Sequence, residues 1–293
     1  MIHADFAPGA AARPADDIPL QLARADDRLA AIASALEQHV VLGPARLLDD
    51  ETVIRARALA GDLARQLADS GHVMIDRVRD LLAANRPVMA HLHALVVEWR
   101  VASALAEQRA LDPVLPPLWQ RRLDPEVVGN DAAMLTTALV TAQTRMGEAL
   151  RQMRLPLAEL PGDLHHLAQQ IAAAAGGDPA SAHRSPDAPA TRLVLLERAL
   201  AGLGSDTLRA LRIDEAGLAL FLTALAGAAG CSRETVALAM AEDTPIRLAL
   251  LLRAAGLPRD HAARQLLAIR PDADPALVAG VADGTAAEQV LGR

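Results

Sequence analysis

The spacing of apolar residues is the feature that most constrains how this chain folds. Nearly every segment after Ile18 repeats apolar residues at intervals of three and four, and alternating segments rich in β-branched residues are almost absent. Because this period places apolar side chains on one face of a helix, the chain is predicted to be all-α. The two clearest helices are expected at about 87–109 and 131–154, and shorter ones at about 20–41, 50–69, 73–84 and 157–175.

The helix at about 87–109 also carries a heptad-like pattern, which leaves a homo-oligomer open. The pattern covers barely three heptads, fewer than a coiled-coil prediction needs. Its apolar stripe is therefore assigned to the core of an irregular helical bundle.

A change of composition divides the 293 residues. The segment "GGDPASAHRSPDAPA" at 176–190 interrupts the helical period with glycine, proline and small polar residues, as linkers do. The length also suits about two domains. The predicted organisation is a disordered tail at 1–17, an N-terminal helical domain at 18–175, a linker or mobile loop at 176–189, and a C-terminal helical-repeat domain at 190–293.

A turn recurs in the C-terminal half. "AAGCSRETVALAM" at 228–240 and "AAGLPRDHAARQL" at 254–266 lie 26 residues apart. In each copy a glycine is placed to end one helix, and Ser232 or Pro258 is placed to begin the next. The recurrence predicts a stack of short antiparallel helix pairs, similar to HEAT repeats. Further helix starts are expected from residues suited to N-caps, namely Ser205, Asp214 and Thr244.

The same stretch admits a second interpretation as a DNA-binding helix-turn-helix. Ala226, Gly230 and Val236 have the spacing of that motif. Against it, Arg233 is the one basic residue in the second helix, it stands beside Glu234, and the formal net charge is −7. Since phosphate attraction supplies much of the affinity for DNA, no nucleic-acid partner is predicted.

Residue usage excludes several chemistries. All 29 basic residues are arginine, and tyrosine is absent, so the chain has no Schiff-base lysine, phosphate-loop lysine or phenolic acid. The single Cys231 cannot form an internal disulfide or a multi-cysteine zinc site, which suits a cytoplasmic protein. The longest charge-free run, at 216–232, is shorter than a membrane span, and residues 1–17 do not resemble a secretory signal.

Histidines are the remaining candidates for catalysis or metal binding. His91 and His93 point to different sides of a helix, as do the adjacent His165 and His166, so neither pair suits a shared metal. A phosphotransfer role for His166 or His72 is kept as a less favoured alternative. No catalytic, metal-ligating or cofactor-binding residue is predicted, and no cofactor.

The favoured function is a non-enzymatic interaction module that binds an unidentified protein partner. A partner with an acidic segment is expected to dock on arginines that follow the repeated turns, because the guanidinium group suits bidentate contacts with carboxylates: Arg233, Arg247, Arg253, Arg259 and Arg264. The alternative is a sensor that holds a small molecule or lipid in a pocket between alanine-rich helices.

One family resemblance accompanies these patterns. The segments "LPLAELPGDLHHLAQQI" at 155–171, "IDEAGLALFLTALAGAAGCSRETVALA" at 213–239 and "IRLALLLRAAGLPRDHAARQLLAI" at 246–269 resemble the alphaproteobacterial domain-of-unknown-function family 2336. The resemblance covers the chain from about Leu155 onward and is fainter before it. It implies a bacterial, cytoplasmic, helical-repeat-like protein and transfers no functional residues.

Overall fold

The computed structural model describes residues 18–38, 49–68, 72–176 and 190–280. Over those ranges it contains α-helices and two 3₁₀-helices, without a strand, which confirms the all-α prediction. The predicted tail at 1–17 and nearly all of the predicted linker at 176–189 lie outside the described residues.

The first eight helices precede the predicted linker. They are α1 (Ile18–Gln38), α2 (Asp50–Leu67), α3 (His72–Ala83), α4 (Arg86–Arg109), α5 (Pro117–Arg122), α6 (Pro125–Val128), α7 (Asn130–Arg151) and α8 (Gly162–Ala175). The helices after it are α9 (Arg192–Ala201), α10 (Ile213–Ala229), α11 (Arg233–Ala241), α12 (Ile246–Ala254), α13 (Arg259–Ile269) and α14 (Ala276–Gly280). The 3₁₀-helices are Leu157–Glu159 and Gly204–Leu211.

The long helices α4 and α7 form where the apolar period is longest. At the start of α4, the side chain of Asn85 accepts a hydrogen bond from the N–H of Val88 over 3.2 Å, and a proline occupies the first turn. The sequence did not predict α5 and α6, because helices of six and four residues are too short to show a period.

The two copies of the repeated turn have the same backbone geometry. Gly230 and Gly256 are both left-handed, with φ of 56° and 79°. In each copy the residue after the glycine donates its N–H to the carbonyl oxygen five residues earlier, over 2.9 Å in the first and 3.3 Å in the second. These are the hydrogen bonds of a Schellman helix ending. The pairs α10–α11 and α12–α13 are therefore joined alike; the comparison with HEAT repeats stays a prediction.

The predicted helix starts are only partly correct. Ser232 caps α11 and accepts a hydrogen bond from the N–H of Thr235 over 3.1 Å. Ser205 instead lies within a 3₁₀-helix, and α12 begins two residues after Thr244. The backbone N–H groups at a helix start can also find their hydrogen-bond acceptor in a side chain that is distant along the chain.

The start of α10 shows such a distant contact. The helix begins at Ile213, one residue before the predicted cap Asp214. The N–H of Ile213 donates to the side-chain oxygen of Gln265, on α13, over 2.9 Å. A hydrogen bond to another helix therefore satisfies a backbone N–H at this helix start, which is the role predicted for the side chain of Asp214.

Two large apolar cores organise the described residues, beside a small cluster that contains Val53 and Val97. The smaller core lies among α2, α3, α8, the first half of α4 and the end of α7. The larger core contains the helices after residue 190 together with side chains of α1, α4, α5 and α7. Helices on both sides of the predicted linker thus share the larger core.

The most apolar helix, α10, bends inside this larger core. Gly217 breaks its helical geometry, with φ of 69° and ψ of 165°. No described helix is by itself long and apolar enough to cross a membrane; α10 and α11 together reach that length and composition, but their axes differ by 113°.

Candidate ligand-binding site

Two of the five arginines predicted to bind a partner form ion pairs inside the fold. Arg233 donates to both carboxylate oxygens of Glu98, over 2.6 and 2.7 Å. Arg247, only 7% exposed, donates to Glu242 over 2.6 Å and to Asp26 over 2.5 Å. Their donors therefore serve internal carboxylates.

Of the other three arginines, only two are exposed. Arg253 is buried, and its guanidinium donates to the carbonyl oxygen of Leu257. Arg259 and Arg264 are exposed on α13. The expectation that all five share one exposed face is wrong, because internal carboxylates and a carbonyl group hold three of them within the packed helices.

The contact of Glu98 belongs to a buried ion network that joins three helices. Glu98 is on α4, Arg192 begins α9 and Arg233 begins α11. Arg192 donates to the two oxygens of Glu98 over 2.8 and 3.3 Å, and also to the side-chain oxygen of Gln143 over 3.0 Å. Two guanidinium groups thus donate hydrogen bonds to one carboxylate, and these bonds fix α4, α9 and α11 relative to one another.

The two arginines determine the charge of Glu98. Burial is the largest single influence on its pKa and raises it, but the combined attraction and hydrogen bonds of Arg192 and Arg233 outweigh burial and hold the pKa far below its usual range. Glu98 is therefore ionised in the folded protein.

The apolar period of the sequence does not reveal this network. The one local sign of the network in the sequence is Glu98, a carboxylate inside the apolar run "ALVVEWRVA" of α4. An unpaired charge in such a run would be costly to bury. The partner Arg192 is 94 residues away along the chain, so periodicity could not identify it.

The second helix of the helix-turn-helix pattern is only partly accessible to solvent. No residue of α11 falls in the exposed class, and the helix packs against α4. A helix that reads the major groove must expose the side chains that reach the bases.

The histidines are spread over separate environments. His91 is buried, and its Nδ1 lies 2.9 Å from Glu234, whose pKa falls to about 2 mainly through that hydrogen bond. His93 and His165 are buried, whereas His166 is exposed beside Gln170. The side chain of His72 lies outside the described set. Across the described residues, no three histidine, cysteine or acidic side chains meet in a group suited to a metal ion.

A cavity of about 480 Å³ lies between three helices. One face of α4 supplies a wall, and the ends of α11 and α13 supply the opposite side. The described lining is largely apolar, with polar groups at a few positions: Val97, Arg100, Val101, Ala104, Leu105, Gln108, Met240, Ala241, Ile269, Arg270, Pro271 and Asp272. This volume falls within the range of small-molecule sites.

The two arginines of this cavity differ in how their donors are used. Arg270 bonds to both oxygens of Asp272 over 3.1 and 3.2 Å, and to the carbonyl oxygens of Glu242 and Asp243. Arg100 uses a single nitrogen, Nη1, which donates to Thr52 and contacts Asp49, each over 2.6 Å. No acceptor for its Nε or Nη2 occurs among the described residues.

A second cavity, of about 460 Å³, is lined by polar groups of α2, α7 and the turn after α7. Its buried carboxylate, Asp62, accepts hydrogen bonds from the N–H of Leu155 over 3.0 Å and from Gln66 over 2.8 Å. Gln66 also donates to the carbonyl oxygen of Leu155 over 2.8 Å. These groups hold the turn, so the cavity between α4, α11 and α13 is the stronger candidate site.

Comparison with known proteins identifies no relative of this chain. No protein-family model, curated protein or solved structure matches the chain.

The described cavity lining combines a few polar side chains with apolar walls. Its polar side chains are two guanidinium groups, an amide and one carboxylate, and that carboxylate is paired with Arg270. Neither a hydroxyl or thiol nucleophile nor an imidazole is among the described lining residues. Such a set can orient an amphipathic molecule by hydrogen bonds while apolar walls hold its body.

Proposed function

We propose that this protein is a non-enzymatic helical module that binds a small amphipathic molecule in the cavity between α4, α11 and the end of α13. The single observation that carries the proposal is this cavity of about 480 Å³. The sequence favoured a protein-interaction module over a small-molecule sensor, and the cavity reverses that order. We place the protein in the cytoplasm, as its cysteine usage suggests.

The proposal is tested by native mass spectrometry of protein purified from its own cells. Ala104→Trp places a large side chain in the cavity, whereas Ala90→Trp adds the same side chain to an exposed position of the same helix. We expect a bound small molecule with the wild type and with Ala90→Trp, and none with Ala104→Trp. Retention of the molecule by a folded Ala104→Trp variant contradicts the proposal.

A second candidate function is docking of a protein partner, and the exposure of Arg259 and Arg264 on α13 favours it. Here a smaller arginine surface replaces the five-residue surface that the sequence suggested. Cross-linking in native cells tests it: the double charge reversal Arg259→Glu/Arg264→Glu should remove a specific partner, whereas Arg57→Glu, at an exposed position of α2, should not. An unchanged set of cross-linked proteins rejects this surface.

Two other roles receive less support. The packing of α11 against α4 argues against DNA reading by the helix-turn-helix pattern. The exposed His166 carries a hydrogen bond from Gln170 over 3.0 Å and has no described acidic partner, so phosphotransfer has no further observation in its favour. Membership of family 2336 stays a proposal that rests on the segments quoted above.

A further inference from the structure

The chemistry of the cavity narrows the class of ligand, and this step rests on the proposed function. Arg100 is 31% exposed, so solvent reaches part of its side chain. Its Nη1 contacts Thr52 and Asp49, while Nε and Nη2 make no hydrogen bond to the described residues. Nε and Nη2 form the edge of the guanidinium group that pairs with a carboxylate through two parallel hydrogen bonds.

The opposite side of the cavity offers no comparable head-group site. Arg270 is buried and bonds to both oxygens of Asp272 and to two backbone carbonyl groups. A ligand anion there would have to displace Asp272. The acidic end of a ligand therefore belongs at Arg100.

The apolar lining is elongated along α4. Val97, Val101 and Ala104 follow one another at intervals of four and three residues, Leu105 comes directly after Ala104, and the lining extends to Gln108. The helical rise makes this face about 16 Å long. Such a strip suits an extended hydrocarbon chain better than a compact ring system.

A wall of small and medium-sized side chains faces this strip. Met240 and Ala241 come from the end of α11, and Ile269 comes from the end of α13. Methionine is unbranched and adapts to a flexible chain in contact with it. The cavity thus holds the guanidinium group of Arg100 beside an apolar strip of α4, while its other charged side chains, Arg270 and Asp272, are paired with each other.

We propose that the cavity binds a free medium-chain fatty acid, with its carboxylate on Nε and Nη2 of Arg100 and its hydrocarbon chain along α4 toward Gln108. The carboxylate is ionised at neutral pH and complements the guanidinium group. Asp49 remains on the other side of Arg100, so the guanidinium bridges two carboxylates, as it can with its five donors.

Isothermal titration with decanoate and decanol, both below their micellar or solubility limits, tests this proposal at pH 7. The two probes share a hydrocarbon chain and differ in the head group. We expect decanoate to bind the wild type at least about tenfold more tightly than decanol, since charge-assisted hydrogen bonds carry that difference. Arg100→Gln should weaken decanoate binding by about tenfold or more and leave decanol binding nearly unchanged.

Controls separate this inference from the proposed function. Arg57→Gln, on the surface of α2, should bind decanoate as the wild type does, and unfolding curves should show that Arg100→Gln is folded. Equal affinity for the two probes, undiminished binding by Arg100→Gln, or no decanoate binding overturns the fatty-acid assignment. If the two probes bind with equal affinity and Ala104→Trp still prevents decanol from binding, the cavity remains a binding site. Only the placement of the carboxylate on Arg100 then fails.

Discussion

At the scale of the residue, Glu98 is the buried carboxylate that Arg192 and Arg233 share. It is 7% exposed and faces two guanidinium groups. Glu98→Gln keeps the shape and removes the negative charge, which leaves Arg192 and Arg233 without their counter-charge. We expect the free energy of unfolding in urea to fall by about 3–5 kcal/mol.

A matched substitution on the same helix gives the reference. Glu107 is exposed, so Glu107→Gln should change the free energy of unfolding by less than about 0.5 kcal/mol. Equal stability of Glu98→Gln and Glu107→Gln would contradict a stabilising role for the buried ion network.

The pH dependence of stability follows from the same carboxylates. Glu98 and Glu234 have lower pKa values in the folded chain than the ordinary value of 4.5, and that of Glu234 is about 2. Below pH 4.5 these two carboxyl groups therefore bind more protons in the unfolded chain than in the folded chain, and their contribution to stability falls as the pH falls. Urea midpoints between pH 6 and pH 3 should show the stability gap between wild type and Glu98→Gln shrink below pH 4.5. A stability gap that stays constant or widens as the pH falls would contradict a lowered pKa of Glu98 in the folded protein.

At the scale of the element, the bend of α10 depends on one glycine. A Cβ atom at Gly217 would lie 2.8 Å from Cγ of Pro116, and the backbone there is left-handed. Gly217→Ala should therefore lower the free energy of unfolding by about 2 kcal/mol or more.

Gly227 provides the control within the same helix. It is exposed and helical, and a Cβ atom there would meet nothing within 4 Å. Gly227→Ala should leave stability unchanged or raise it by up to about 1 kcal/mol. Urea denaturation compares the two, and a Gly217→Ala variant as stable as Gly227→Ala would contradict the described bend.

Sequence patterns predicted the elements that depend on local chemistry. The long helices α4 and α7 followed from the apolar period, and the turns at Gly230 and Gly256 followed from glycine chemistry. The bend at Gly217 could not be predicted, because the position of Pro116 is set by tertiary packing. The ion network was missed for the same reason, since its members meet only after the helices have packed.

At the scale of the whole molecule, the two sequence halves depend on a common core. Leu118, Trp119 and Leu139 precede the predicted linker and are buried with the helices after it. A fragment of 190–293 therefore lacks part of its core and should not unfold cooperatively in urea. Cleavage of the full chain at a protease site inserted in 177–189 should leave the halves associated. A fragment as cooperative as the full chain would favour two independent domains.

The most direct test of the central claim locates a bound ligand in solution. Decanoate carrying a diazirine at its chain end, activated by light on the full-length protein, should label residues within 97–108, 240–241 or 269–272, which line the cavity. Excess decanoate should compete with labelling, and Ala104→Trp should abolish it, whereas Ala90→Trp should not. Labelling that maps outside these segments, or that persists in Ala104→Trp, would contradict a ligand site between α4, α11 and α13.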